Sequence, residues 1–319
     1  MTNTFDVPVL FIVFNRPDTT EIVFQRIREI RPAKLFVAAD GPRASKEGEK
    51  ERCEAVRKLI LDGIDWECDV QTKFSDVNLG CGLAESSAML WFFNAIGEGI
   101  VLEDDTLPDP SFFNYCRELL NHYRNEPDVF LISGNNFQNG KQRGDGSYYF
   151  STYAGTWGYA SWKRAWEGYD FSLKSIDRDL FEKILDEQFS NESEKNTWRT
   201  TYENFHAGKY DTWDFQFCFD RWRRKGKGIA PNVNLITNIG FGNNATHCVN
   251  PDDPAANLPL GSINKIIHPS SKTICEKADR YQYKKYFKAE TTWERRAKKV
   301  LKILTGKKIK PFKLVRKNM

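Results

Sequence analysis

Gly99-Ile100-Val101-Leu102-Glu103-Asp104-Asp105 drives an apolar run into three consecutive carboxylates. The Ile-Val-Leu core predicts a short buried strand. Three acids at its end do not all stay charged in a dry interior without a cation, so they must open into a cleft. Two readings fit the residues themselves. One is a site where a hard cation, Mn²⁺ or Mg²⁺, is shared between carboxylate and substrate phosphates. The other is a solvated turn, since Asp105-Thr106-Leu107-Pro108 is good turn chemistry.

Upstream, Val7 to Phe14 reads as a first buried strand and Thr19 to Ile30 as an amphipathic helix ending near Arg31-Pro32. Lys34 to Ala39 is a second strand stopped by Asp40-Gly41-Pro42, Glu49 to Leu61 a helix, Trp66 to Lys73 a third strand and Leu83 to Ala95 another helix. This alternation predicts βαβ units, hence an α/β fold with a mostly parallel central sheet flanked by helices. Ligands in such sheets bind beyond the carboxyl ends of the strands. Asn15-Arg16, Asp40 and Glu103-Asp104-Asp105 occupy those ends.

Downstream, Pro110 to Tyr123 is an aromatic-rich helix, Val129 to Ser133 a strand, and Tyr148 to Tyr169 a Gly- and Trp-studded segment. Residues 170–205 are polar and helical, Trp213 to Trp222 is a further helix, and Ile229 to Thr237 is a last strand. A Pro-rich stretch at 250–260 reads as a linker. The expected organisation is a domain over 1–250, with halves 1–125 and 126–250, then a linker and extension over 251–283 and a basic tail over 284–319.

The 319 residues, 40% hydrophobic with 23 Phe, 12 Tyr and 9 Trp, can build one large α/β domain with an appendage. Seven cysteines form neither a zinc spacing nor a disulfide framework, so a reducing cytosol is the expected compartment. No signal peptide opens the chain, and no apolar run approaches the roughly 20 residues of a membrane span. The N-x-S/T triplets at Asn191 and Asn244 therefore carry no weight. The net charge of +4 is uneven, because Lys284 to Met319 holds 14 Lys and Arg against Glu290 and Glu294. There Trp293, Ala297, Val300, Leu301 and Leu304 recur at helical spacing among the cations. Such a basic amphipathic helix either lies on an anionic membrane surface through 284–317, as a peripheral protein on its inner face, or packs on the domain. No nucleic-acid motif accompanies the charge.

Three carboxylate stations stand out: Asp40, the acid triplet, and Asp211/Asp214. One acid can meet a nucleotide, one can hold a metal, and one can take a proton from an acceptor hydroxyl. That division fits sugar transfer from a nucleotide diphosphate, where the leaving group needs neutralisation and the attacking hydroxyl a base. For Asp214 a helix cap or an ion pair with Arg221 or Arg223 stays open. In Asn78-Leu79-Gly80-Cys81-Gly82-Leu83 the glycines permit close ligand approach, with Asn78 and Gly80 offered to a nucleotide sugar at a helix N-terminus. The loop lacks the Lys of a P-loop and reads equally as an ordinary turn. Among the tryptophans, Trp157 and Trp213 are the best placed to meet a sugar ring; most of the others belong to the core.

Phe14-Asn15-Arg16, Ala39-Asp40-Gly41, the acid triplet running into Pro108-Asp109-Pro110-Ser111-Phe112-Phe113, and Trp213-Asp214 together resemble a GT-A glycosyltransferase. The similarity is greatest to the N-acetylglucosaminyltransferase I family and to bacterial hemolysin-like sugar transferases, and spans about residues 7–247. Leu131 to Asn136, Gly155 to Gly158 and Ile239 to Gly242 share it. The resemblance implies a GT-A fold whose first half binds the nucleotide sugar and whose second half binds the acceptor. It implies that Asp105 ligates Mn²⁺, that Asp104 and Glu103 contact the ribose and sugar, that Asp40 binds uridine, and that Arg16 lies at the nucleotide or diphosphate. Asp214 is then the base of an inverting displacement. His247 is either a further metal or diphosphate ligand or a structural histidine. Asn15 stands where the family carries an acid.

The function expected is metal-dependent, inverting transfer of N-acetylglucosamine or a related hexose from a UDP-sugar to a saccharide acceptor, lipid-linked as in surface polysaccharide assembly. Two other classes stay open. A sugar nucleotidyltransferase shares the sheet and the metal acids, but Phe14-Asn15-Arg16-Pro17 is not its Gly-rich basic loop. A non-catalytic carbohydrate-binding protein needs neither base nor metal.

Overall fold

The computed structural model describes residues 4–241 and 253–287. Its elements run β1 (Val9–Val13), α1 (Pro17–Ile30), β2 (Lys34–Ala39), α2 (Glu49–Gly63), β3 (Asp69–Phe74), α3 (Cys81–Ala95), β4 (Glu98–Glu103), β5 (Thr106–Pro108), α4 (Ser111–His122) and β6 (Val129–Ser133). There follow β7 (Tyr148–Ser151), β8 (Tyr159–Trp162), α5 (Lys163–Trp166), α6 (Arg178–Gln188), α7 (Glu192–His206), α8 (Asp214–Arg223), β9 (Lys227–Pro231), β10 (Ile236–Asn238) and α9 (Glu276–Gln282).

Eight strands form one sheet in the order β3-β2-β1-β4-β8-β6-β9-β7. The β3-β2-β1-β4 half is parallel throughout, and antiparallel pairs begin where β8 joins β4. Side chains alternate between its faces, as the two-residue strand period requires. Phe11 of β1 and Leu102 of β4 pack with α1, α2 and α4 on one face, while Leu10 and Val101 pack with α3 and α5 on the other. Both faces are covered, so these strands read as continuous apolar runs. Pro17 starts α1 where its missing N–H costs nothing, and Arg31 at φ 50 ends it by donating its N–H to the Ile27 carbonyl.

Register fixes the site. Val9 lies opposite Ile100 and Ile12 opposite Glu103, so Phe14 to Arg16 and Glu103 to Asp105 leave the sheet side by side. The short strands β5 and β10 then pair, Thr106 opposite Asn238, and carry Ile239 and Gly240 to the triplet.

A third core lies beyond the sheet. Phe181, Leu185, Trp198 and Tyr202 from the polar-looking 170–205 region pack with Phe219 and Trp222 of α8 and with Tyr283 and Phe287. Within the stretch read as linker and extension, Asn257 and Gly261 N–H groups donate to the carbonyls of Asn238 and Asn234, and residues 265–275 lie along the edge strand β7: Ser147 N–H donates to the Ile267 carbonyl at 2.8 Å and Cys275 N–H to the Phe150 carbonyl at 2.8 Å. An edge strand covered in this way presents no free ladder to other chains. His247 and the greater part of the basic tail, 288–319, fall outside the described residues. No described helix is long and apolar enough to cross a membrane.

Gly158 sits at φ +60, and a Cβ there would lie 2.6 Å from Ile236 Cδ1 and 3.2 Å from Leu102 Cδ2. Gly158→Ala therefore combines backbone strain with overpacking and lowers the unfolding free energy by about 1–3 kcal/mol, read from urea denaturation.

Candidate active site

A cleft of about 470 Å³ opens at the carboxyl ends of β1, β2 and β4. Arg16, Asp40, Asn78, Gly80, Glu103, Asp104, Asp105, Trp157 and Asp214 all line it. The sequence-selected residues that fall within the described chain are thus brought to one place.

The triplet divides its acids. Asp104 accepts the Phe14 N–H at 3.3 Å and pairs with Arg16 Nη2, so it ties the β1 loop to β4. Burial pushes its carboxyl up to about 6, although Arg16 pulls the other way. Asp105 Oδ2 accepts from the same Arg16 nitrogen at 2.9 Å. Burial alone would lower the guanidinium, but Asp104 and Asp105 outweigh it and hold Arg16 above its ordinary value. Its neighbours among the described residues are therefore the acids, and it serves as the cation that the strand end requires. Glu103 is half-buried, and among the described residues nothing hydrogen-bonds to its carboxylate; burial, then Glu85, Asp105 and Asp104, raises it well above the usual range.

Asp40 performs a structural task in the cleft wall. Its Oδ1 accepts the Gly41 and Leu79 N–H groups at 2.8 and 2.9 Å, and its Oδ2 accepts Asn78 Nδ2 at 2.9 Å and Gly80 N–H at 3.2 Å. Burial raises its carboxyl, and these backbone bonds offset part of that rise. Immediately after Gly80, the amides of Cys81 and Gly82 at the start of α3 are taken by Asp211, at 3.0 and 2.9 Å. The helix N-terminus that the sequence offers to phosphate is already capped by a carboxylate from a distant loop. Gly80, at φ +83, is required there, since its Cβ would fall 2.7 Å from Asp211 Oδ2. Asn15, where the resembled family carries an acid, donates its side-chain amide to Glu49 at 2.8 Å.

Asp214 opens α8, is 8% exposed and accepts a hydrogen bond from Thr212 Oγ1. Burial pushes its carboxyl up to about 6 against the pull of Thr212 and the local amides. The ion pair with Arg221 or Arg223 is absent among the described residues: Arg223 pairs with Asp220, and Arg221 donates to the Thr152 carbonyl. Trp213 is 3% exposed, packs against Trp166 and Phe217, and donates Nε1–H to Glu85 Oε2 at 2.5 Å, so it is a core residue with one edge on the cleft. Trp157 is half-buried, its ring edge-on to Phe137 and Phe241. Glu85 was not singled out in the sequence. It also accepts from the Cys81 thiol at 3.0 Å, and burial raises it to about 7.

The described residues hold no cluster of three His, Cys, Asp or Glu side chains able to bind a metal unaided. They do hold one fitted ligand: Asp105 Oδ1 is buried with no hydrogen-bond partner. A hard cation bound through one carboxylate and substrate phosphates fits that donor set. Gly240 closes over it, a Cβ there falling 2.2 Å from Asp105 Oδ2 and 2.6 Å from Arg16 Nη1.

No protein-family model and no curated protein matches the chain. Among solved structures, S. aureus TarS 1-349 is 9% identical with a TM-score of 0.35, over 56% of this chain and 54% of that one. UDP-glucose pyrophosphorylase complexed with UDP-glucose is 11% identical with a TM-score of 0.36, over 71% and 90%. Mouse xyloside xylosyltransferase 1 is 16% identical with a TM-score of 0.27, over 42% and 54%. The chain thus spans about half the length of the first and third. Scores this low carry no argument about activity.

Asp211→Ala strips the cap from Cys81 and Gly82. It should cost about 1 kcal/mol in unfolding free energy and speed amide exchange at residues 79–83, followed by hydrogen–deuterium exchange.

Proposed function

We propose that the chain is a GT-A glycosyltransferase that moves a hexose, N-acetylglucosamine or a relative, from a UDP-sugar to a saccharide acceptor with inversion. The observation that carries this reading is the pairing, in one cleft, of an unpartnered buried oxygen on Asp105 beside Arg16 with a separate buried carboxyl, Asp214, poised near 6. The first suits a cation-bound diphosphate and the second a general base. Asp105 would hold Mn²⁺ or Mg²⁺, and that ion would neutralise the negative charge that grows on the leaving diphosphate. Glu103, whose carboxylate takes no hydrogen bond among the described residues, faces the donor sugar from the same strand end.

Asp214 takes the proton of the acceptor hydroxyl. That oxygen forms its bond to the anomeric carbon as the bond from that carbon to the diphosphate oxygen breaks, and UDP leaves with the electron pair. Trp157 lines the cleft beside Asp214, where its ring can meet the apolar face of a sugar. The acceptor is taken to be lipid-linked and met at an anionic membrane surface, on the charge of residues 284–317. Nucleotidyl transfer is less well served, because the loop after β1 is Phe14-Asn15-Arg16-Pro17 rather than a Gly-rich basic cradle. A carbohydrate-binding protein has no use for a buried base.

Calorimetry should find UDP binding that needs Mn²⁺ and is lost in Asp105→Ala; metal-independent binding overturns the site. Asp214→Asn should keep UDP affinity while transfer, read as released UDP, drops about 10²–10⁴-fold. The rate should fall about tenfold per pH unit below roughly 6, as Asp214 gains its proton. Thr212→Val removes a hydrogen bond that favours the ionised carboxylate, so this acid limb should move to higher pH.

A further inference from the structure

Seven large hydrophobic side chains stand exposed among the described residues, and three of them fall within one short stretch: Val77 at 63%, Leu79 at 40% and Leu83 at 42%. Single exposed aliphatics are ordinary, whereas a cluster asks for a partner. The backbone holds this one in place. Asn78 turns inward, its Nδ2 donating to Asp40 Oδ2 and to the Gly41 carbonyl, both at 2.9 Å, while Val77 and Leu79 on either side of it face out. Val77 lies over Gly41, where a Cβ would come within 2.4 Å of the Val77 backbone. Leu79 stands just before the cap residue Gly80 and Leu83 in the first turn of α3, so the three side chains bracket one helix start. Leu79 also lines the main cleft, which puts the cluster on its rim.

The polar groups of this stretch are already spoken for. The amides of Leu79, Gly80, Cys81 and Gly82 are taken by Asp40 and Asp211, and the Val77 carbonyl accepts from Ser75 Oγ at 2.6 Å. A loop satisfied from within can leave water without stranding donors or acceptors, which is what entry into a bilayer demands. The exposed charges beside it in sequence are one of each sign, Lys73 and Asp76. Attraction to an anionic surface comes instead from the 14 Lys and Arg of Lys284 to Met319. That segment starts near the cleft: Tyr286 packs on Phe137 at 5.2 Å between ring centres, and Phe137 on the cleft-lining Trp157 at 5.6 Å. A second copy of the chain is a poorer occupant, because a stable interface takes about 20–30 residues a side and the stretch from Val77 to Leu83 offers far fewer. We propose that Val77, Leu79 and Leu83 enter the interfacial layer of an anionic bilayer, so that the cleft opens at the headgroups while the basic segment supplies the attraction. This rests on the lipid-linked acceptor of the function proposed above and adds which face of the protein meets the lipid.

Flotation of the full chain with vesicles of equimolar phosphatidylglycerol and phosphatidylcholine tests this, with the thermal midpoint as fold control. Val77→Ser combined with Leu83→Ser should weaken partitioning at least about tenfold. Val77→Trp should strengthen it several-fold, because an indole favours the interface, and brominated phosphatidylcholine should quench the added fluorescence. Equal partitioning of the unaltered chain and both variants, as expected if the basic segment binds alone, overturns the proposal, as does a failure of the unaltered chain to float. A dimer in solution that the serine pair dissolves while vesicle binding stays unchanged gives the rim to a second copy and also overturns it. Rim-dependent binding by a chain that releases no UDP from any UDP-hexose, whatever the acceptor, would keep the docking face and remove the transfer reading; UDP release to a water-soluble saccharide by a chain that ignores vesicles would do the reverse.

Discussion

The fold of the cleft depends on how two buried carboxylates are neutralised at the end of a central strand. Asp104 and Asp105 follow β4 into a region where neither is more than 8% exposed, and Arg16 meets both with one nitrogen. Parallel pairing of β1 with β4 is what delivers it, since the chain leaving β1 reaches position 16 beside the triplet. Removing the guanidinium would leave Asp104 with the Phe14 amide alone; breaking a pair of this kind costs about 3–5 kcal/mol, far more than an exposed ion pair contributes. Yet Arg16 does not saturate the site. One Asp105 oxygen stays unpartnered among the described residues, and the proposed cation site rests on that residual demand.

The same economy governs the opposite wall. Residues 78–82 form a turn whose amides are claimed by two carboxylates from different parts of the chain, Asp40 at the end of β2 and Asp211 before α8. The backbone amides that the sequence offers to a ligand are instead taken by the protein's own carboxylates, and the loop links the half of the cleft built on β1 to β4 with the half that carries Asp214. Glu85 adds a second tie through the Trp213 indole. Rigid elements of this sort are what keep a reacting group within the tolerance that catalysis needs.

What the sequence made legible was local. Apolar runs alternating with amphipathic segments place β1 to β4 and α1 to α3, and acids at strand ends mark the cleft. What it hid were partnerships across long separations. The Asp211 cap lies 129 and 130 residues from the amides it serves, and Glu85 meets Trp213 across 128. No period or spacing announces such pairs. Residues 170–205 look polar because α6 and α7 are amphipathic and bury only a stripe, Phe181, Leu185, Trp198 and Tyr202, against α8. The strap over β7 is held by backbone hydrogen bonds and by side-chain bonds to residues more than a hundred positions away, such as His268 to Tyr148 and Ile267 N–H to Ser147, neither of which composition registers. Asp40 was found for its position, while its work of holding amides became visible only in three dimensions.

Asp214 shows how position sets strength. A carboxylate in the first turn of a helix is favoured by the helix dipole, and Thr212 and the local amides favour it further. Left in solvent it would be a weak base, ionised but reluctant to take a proton. Burial reverses the balance and carries it to about 6, close enough to neutrality for the proposed base to be both ionised and able to accept. Thr156 and Trp157 line the cleft together with Asp214, so in the proposed reaction the surface beside the base is also the one an acceptor would approach. Any substitution that admits water to Asp214 should therefore weaken the proposed base even when it leaves every carboxylate in place.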